Sequence, residues 1–111
     1  MVAASACAST ATTTKNPRIV QAPTPRNDHE VVIYEYKFDP MTLTVAAGTE
    51  VTWVNYDIAP HTATYRSFDG DNFDSGSIGA AQIYSHKFRT PGTYDYLCVF
   101  HQGMRGTVVV K

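Results

Sequence analysis

The sequence predicts an all-β chain folded as a Greek-key β-sandwich of about seven to eight strands. Three observations carry that expectation. Aromatic residues make up 12% of the 111 residues and Val and Thr are abundant, which suits pleated, half-buried strands. No apolar pattern of helical period is sustained over a window of about 11 residues. Turn signals recur at short intervals, at Asp39-Pro40, Ala47-Gly48, Asp57 to Pro60, Asp69 to Gly79, Pro91-Gly92 and Gly103.

Strands are expected between those signals. The first runs from Val31 to Phe38 and the second from Met41 to Ala46, where Met41, Leu43 and Val45 face one way and Thr42 and Thr44 the other. The third, Val51 to Asn55, sets Val51, Trp53 and Asn55 against Thr52 and Val54. Thr62 to Arg66 and Gln82 to Phe88 follow. In Thr93 to Cys98, alternation aligns Tyr94, Tyr96 and Cys98, so the sulfur points inward beside two aromatics. The valine run of Gly106 to Val110 is last. A core of Leu43, Val45, Trp53, Phe88 and Tyr94 is expected. His29 reads as a surface residue and His86 as a partly buried, hydrogen-bonded strand residue. Tyr94 and Tyr96 read as packing or a corner hydrogen bond.

At this length, with 43% apolar and 17% charged residues, the chain fits one domain, expected over residues 29–111. Residues 1–28, with Thr10 to Thr14, Pro17, Pro23, Pro25 and few large apolar groups, read as a flexible leader. Its start has small residues like those preceding a signal cleavage site, as in a trimmed export signal. Ala4-Ser5-Ala6-Cys7 also resembles the end of a lipoprotein signal with a lipidated cysteine, although Ala stands where Leu is usual. An ordinary tail cysteine is the other reading. No apolar stretch approaches the roughly 20 residues that span a bilayer. A net charge of −1 provides no global field toward nucleic acid or anionic lipid. Asp69 to Asp74 lacks the spacing and closing Glu of a calcium loop and reads as solvated.

Chemistry concentrates at Cys98-Val99-Phe100-His101-Gln102-Gly103-Met104, a thiolate, an imidazole and a thioether at three-residue intervals where a strand ends. His61, after Pro60, offers a second imidazole that sandwich topology can bring alongside. Two nitrogens and a thiolate with a weak axial methionine form the ligand set of blue-copper sites. The soft sulfurs favour Cu(I) and the imidazoles also suit Cu(II), so a site between both changes oxidation state with little rearrangement. Zinc is the chemical rival, but its structural sites close with a fourth strong ligand where this loop has a thioether.

These residues also resemble the cupredoxins, most closely the amicyanin branch beside plastocyanin and pseudoazurin. The resemblance spans about Val31 to Lys111 and includes Ala47-Gly48-Thr49, Val51 to Asn55, Pro60-His61, Gly92 to Tyr96, the Cys98 to Met104 loop and Arg105-Gly106. The two-residue spacing on each side of His101 is the amicyanin-like feature. The loop departs from that pattern in having Val99-Phe100 and Gln102-Gly103 where proline is common. The resemblance implies one type 1 copper per chain held by His61, Cys98, His101 and Met104, with the Thr62 N–H donating to the Cys98 sulfur. It implies that Asn55 ties the His61 loop to its neighbour. It also implies a monomeric electron carrier in the periplasm or another extracytoplasmic space, serving a c-type cytochrome or a periplasmic dehydrogenase.

An oxidase or nitrite-reducing enzyme would need a second catalytic metal and histidines beside the cysteine, yet Leu97 and Val99 flank Cys98. A binuclear copper site would need a second cysteine in the loop. A copper chaperone or storage protein is the rival of a different class, since it uses the same soft ligands.

Overall fold

The computed structural model describes residues 22–68 and 71–111. Residues 1–21 of the expected leader, Cys7 among them, lie outside the described residues. Among those described there are nine strands and no helix: β1 (Glu30–Tyr34), β2 (Lys37–Asp39), β3 (Thr42–Val45), β4 (Thr49–Asn55), β5 (Thr64–Tyr65), β6 (Phe73–Asp74), β7 (Ile83–Phe88), β8 (Gly92–Cys98) and β9 (His101–Val110). They form two sheets, ordered β2-β1-β4-β7 and β3-β9-β8-β5-β6. The all-β sandwich is as expected.

Alternation explains most of the core between the sheets. Leu43 and Val45 are buried from β3, Val51, Trp53 and Asn55 from β4, and Tyr94, Tyr96 and Cys98 from β8. Trp53 is the centre of an aromatic cluster, with ring centroids 5.4 Å from Tyr96, 5.6 Å from Phe73 and from Tyr84, and 6.3 Å from Phe88. Tyr94 makes the expected corner bond, its hydroxyl donating to the Thr90 carbonyl. Val54, on the other face of β4, is buried as well, between its cross-strand neighbours Val32 of β1 and Ile83 of β7. Gly48 turns the chain into β4 with φ of 95°, a conformation that glycine adopts without strain.

Four expectations need correction. The first strand is in fact the β1–β2 hairpin, with Glu35 and Tyr36 at φ of 52° and 61° in a two-residue turn. Met41 is 67% exposed, since β3 begins after it. The stretch after Asp69 is more than a turn: Phe73 is buried in the Trp53 cluster and β6 pairs with β5. His86 lies between Phe73 and Phe88, and its Nε2 has no hydrogen-bond partner, so packing and not a polar bond places it. Burial there pushes its pKa down.

Glu30 is buried at the start of β1 and is gripped by Arg26. The guanidinium donates to its carboxylate at 2.8 and 3.1 Å and the Arg26 backbone N–H donates at 2.9 Å. These bonds hold Glu30 below the usual glutamate range against its burial.

Candidate metal centre

The site sits at one end of the sandwich, where β8 passes into β9. Along this antiparallel pair Leu97 faces Arg105, but the next residue, Cys98, faces His101. Gln102, Gly103 and Met104 are therefore looped out of the ladder between those two pairs. The irregularity places His101 across from Cys98. It leaves Met104 buried, in the same core cluster as Cys98.

His61 arrives from the loop after β4. Asn55, fully buried at the end of β4, donates to the carbonyls of Ala59 and Ile78 at 3.0 and 2.9 Å and accepts from the Asp57 N–H at 2.8 Å. One amide thus fixes the loop from inside, as expected. The backbones of His61 and Ile78 then bond reciprocally, at 3.1 and 2.7 Å.

The structure brings His61, Cys98 and His101 together, with all three candidate ligand atoms within 4.8 Å of one another. The Cys98 sulfur is 3.7 Å from His61 Nδ1 and 3.8 Å from His101 Nδ1. His61 and Cys98 are fully buried, while His101 is half-buried. The Thr62 N–H points at the sulfur from 3.4 Å, the donor expected there. The Thr62 hydroxyl also accepts the Val99 N–H at 2.9 Å, so one residue joins both ligand-bearing segments.

Two contributors escaped the sequence reading. Asp57, which reads only as a turn residue, accepts from His61 Nε2 at 2.8 Å and from the N–H groups of Glu35 and Tyr36 at 2.7 and 3.0 Å. Burial pushes its pKa up, but those backbone bonds and the His61 ring outweigh it and hold the carboxyl below its usual range. Its position four residues before His61 is the only trace of this role in the sequence. Tyr36, which reads as a strand residue, lies edge-on to both imidazoles, with centroids 4.9 Å from His61 and 4.7 Å from His101.

The donor set itself tests what ion fits. Two imidazoles and one sheltered thiol, with an N–H already aimed at the sulfur, match a soft-to-borderline transition metal and not a hard cation such as calcium. Between the two loop ligands the exposed side chains are apolar, Val99 41% and Phe100 51% exposed, while charged Glu35 and Lys37 flank Tyr36 and Arg105 bonds the Gln102 carbonyl.

Comparison with known proteins agrees with this geometry. The family model of copper binding proteins, plastocyanin/azurin family, matches residues 27–111. Amicyanin-alpha of Methylorubrum extorquens is 38% identical over 89 residues, covering 78% of this chain and 75% of that protein. Plastocyanin of Scenedesmus fuscus is 40% identical over 87 residues, covering 67% and 86%. Among solved structures, a reduced amicyanin variant superposes with a TM-score of 0.70 at 36% identity, covering 74% of this chain and 80% of that one. A purple cupredoxin from Nitrosopumilus maritimus superposes with a TM-score of 0.66 at 29% identity, covering 74% and 98%.

Proposed function

The chain belongs to the plastocyanin/azurin family of copper-binding proteins, and on that premise we propose that it is a one-electron carrier holding a single type 1 copper through His61, Cys98, His101 and Met104. The observation that carries this reading is the buried Cys98 sulfur between two imidazole nitrogens, with the Thr62 N–H directed at it. When bound, copper supplies a Cu(II)/Cu(I) couple.

The chain's own residues do the rest. The Thr62 N–H steadies negative charge on the sulfur, and burial of Cys98 keeps water and oxidants from it. The bonds from Thr62 and Asn55 hold both ligand-bearing segments in one arrangement, so neither oxidation state commands its own geometry. Met104 would hold the ion weakly through its thioether. The likeness to amicyanin and plastocyanin supports a carrier, read here as monomeric, and not an enzyme.

His101 is the half-buried candidate ligand, and its neighbours along the loop, Val99, Phe100, Gln102 and Gly103, carry no charge, with the Arg105 guanidinium at their edge. A small uncharged patch suits a partner that must bind briefly and leave. We assign it to a redox protein such as a c-type cytochrome or a periplasmic dehydrogenase. We assign the carrier to the periplasm or another extracytoplasmic space, where Cys7 is an ordinary tail cysteine or, if lipidated, a membrane tether. Among the described residues no helix is long and apolar enough to cross a membrane.

Optical and electron paramagnetic resonance spectra of the oxidised, copper-loaded protein test the proposal. One copper per chain, an intense visible band lost in Cys98→Ser and reversible one-electron cycling are expected. Tight Cu(I) binding without a stable coloured Cu(II) form would favour the copper chaperone instead.

A further inference from the structure

The outer nitrogen of His61 meets a carboxylate rather than a neutral carbonyl or water. Asp57 Oδ2 is 2.8 Å from His61 Nε2, and the Asp57 side chain is only 9% exposed. The same oxygen accepts the Tyr36 N–H, and Oδ1 accepts the Glu35 N–H. With every neighbour donating, Asp57 is an acceptor, and His61 must carry its proton on Nε2. Nδ1 is then bare and faces the Cys98 sulfur.

We propose that Asp57 is a positioning residue that lowers the reduction potential of the copper site, acting through His61 and through the turn that carries Tyr36. The inference rests on the copper reading above. A neutral acceptor would select the same tautomer, but a carboxylate adds a negative charge beside the ring where water screens it poorly. That charge makes the imidazole a stronger donor and favours the doubly charged ion over the singly charged one. The second effect is mechanical. Glu35 and Tyr36 are both non-glycine residues at positive φ, and the Asp57 oxygens bond their N–H groups. Holding that turn holds the Tyr36 ring against both ligand imidazoles, at interplanar angles of 87° and 82°. One side chain therefore restrains both rings, His61 directly and His101 through Tyr36.

Asp57→Asn tests this in the full chain. Its amide nitrogen must face a donor in either orientation, so at least one of the three bonds is lost. Cu(II) and Cu(I) affinities should be measured by competition titration at pH 7, and the midpoint potential by voltammetry. The variant should keep the visible band, bind Cu(II) about tenfold more weakly and Cu(I) nearly unchanged, an upward shift of about 59 mV. A normal type 1 spectrum with an unshifted variant potential overturns this inference alone. A wild-type protein without a type 1 spectrum overturns the copper reading and this inference with it. Should Asp57→Asn not fold, the metal-free wild-type chain decides. Nitrogen-15 correlation spectra should show the His61 proton on Nε2, and the opposite tautomer refutes the proposal.

Discussion

Replacing Gly106 with alanine should destabilise the protein, although alanine is the stiffer residue in a strand. A Cβ at Gly106 would lie 2.5 Å from both Cζ and Oη of Tyr96 and 3.0 Å from Cε1. The tip of a side chain can often yield, but this one is caged. Tyr96 is 1% exposed, and its ring centroid lies 4.7 Å from Phe38, 5.4 Å from Trp53 and 6.0 Å from Phe73. Overpacking a tight core costs roughly 1–3 kcal/mol, against a gain of about 0.5–1 kcal/mol from removing a flexible glycine. At the middle of these ranges the net loss is about 1 kcal/mol, or roughly 4–8 °C in Tm for a domain of this size. Urea unfolding of the metal-free protein measures it, with the midpoint lowered and the slope unchanged. The Tyr96 hydroxyl has no hydrogen bond of good geometry, only the Trp53 indole nearby. Tyr96→Phe should therefore recover part of the loss by removing Oη while Cζ still clashes. A Gly106→Ala protein as stable as wild type would refute the reasoning that Tyr96 cannot move.

Met104→Leu should retain copper and raise the midpoint potential, because a weak axial ligand is exchanged for a non-ligand; loss of copper binding would contradict that weak role. Phe100→Glu should slow electron exchange with a physiological partner while leaving the visible spectrum nearly unchanged, since a charge on the docking patch must be desolvated. Stopped-flow exchange at the wild-type rate would move the docking site elsewhere. Glu30, held below its ordinary value by Arg26, stabilises the fold above the unfolded glutamate value of 4.5, and that contribution is lost as pH falls through the lower folded value. In Glu30→Gln the acid limb of stability against pH should be shallower, and an unchanged limb would dissociate Glu30 from acid unfolding.

How much was legible in the sequence follows from which forces are local. Period-two alternation depends only on the pleat, so it correctly turned Leu43, Val45, Tyr94, Tyr96 and Cys98 inward. The grouping of Cys98 and His101 followed from spacing, and His61 joined through topology and family resemblance. The break at Glu35–Tyr36 was hidden because the turn lacks the usual Asn-Gly chemistry. Asp57, more than twenty residues later, supplies the bonds that steady it. Phe73 was hidden for a related reason, lying in a two-residue strand among polar neighbours where no periodicity can develop. Asp57 itself was read as a loop former, since nothing local distinguishes a turn aspartate from one bonded to a ligand-type histidine.

The looped-out segment of β9 also bears on the order in which the chain assembles. Cys98 and His101 are three residues apart at the closed end of one hairpin, so they can meet as soon as β8 and β9 zip together. His61 is 37 residues from Cys98 and must wait for β5 to pair with β8 and for its own bridge to Ile78. Loop-closure entropy thus favours early gathering of the thiol, one imidazole and Met104, and late arrival of the second imidazole. Destabilising substitutions in the β8–β9 hairpin should slow folding, whereas those around Ala59 should chiefly speed unfolding. A folding nascent chain would pass through a stage that presents a soft, Cu(I)-seeking donor set before the complete site exists. Metal loaded then would be held by an open claw rather than a closed one.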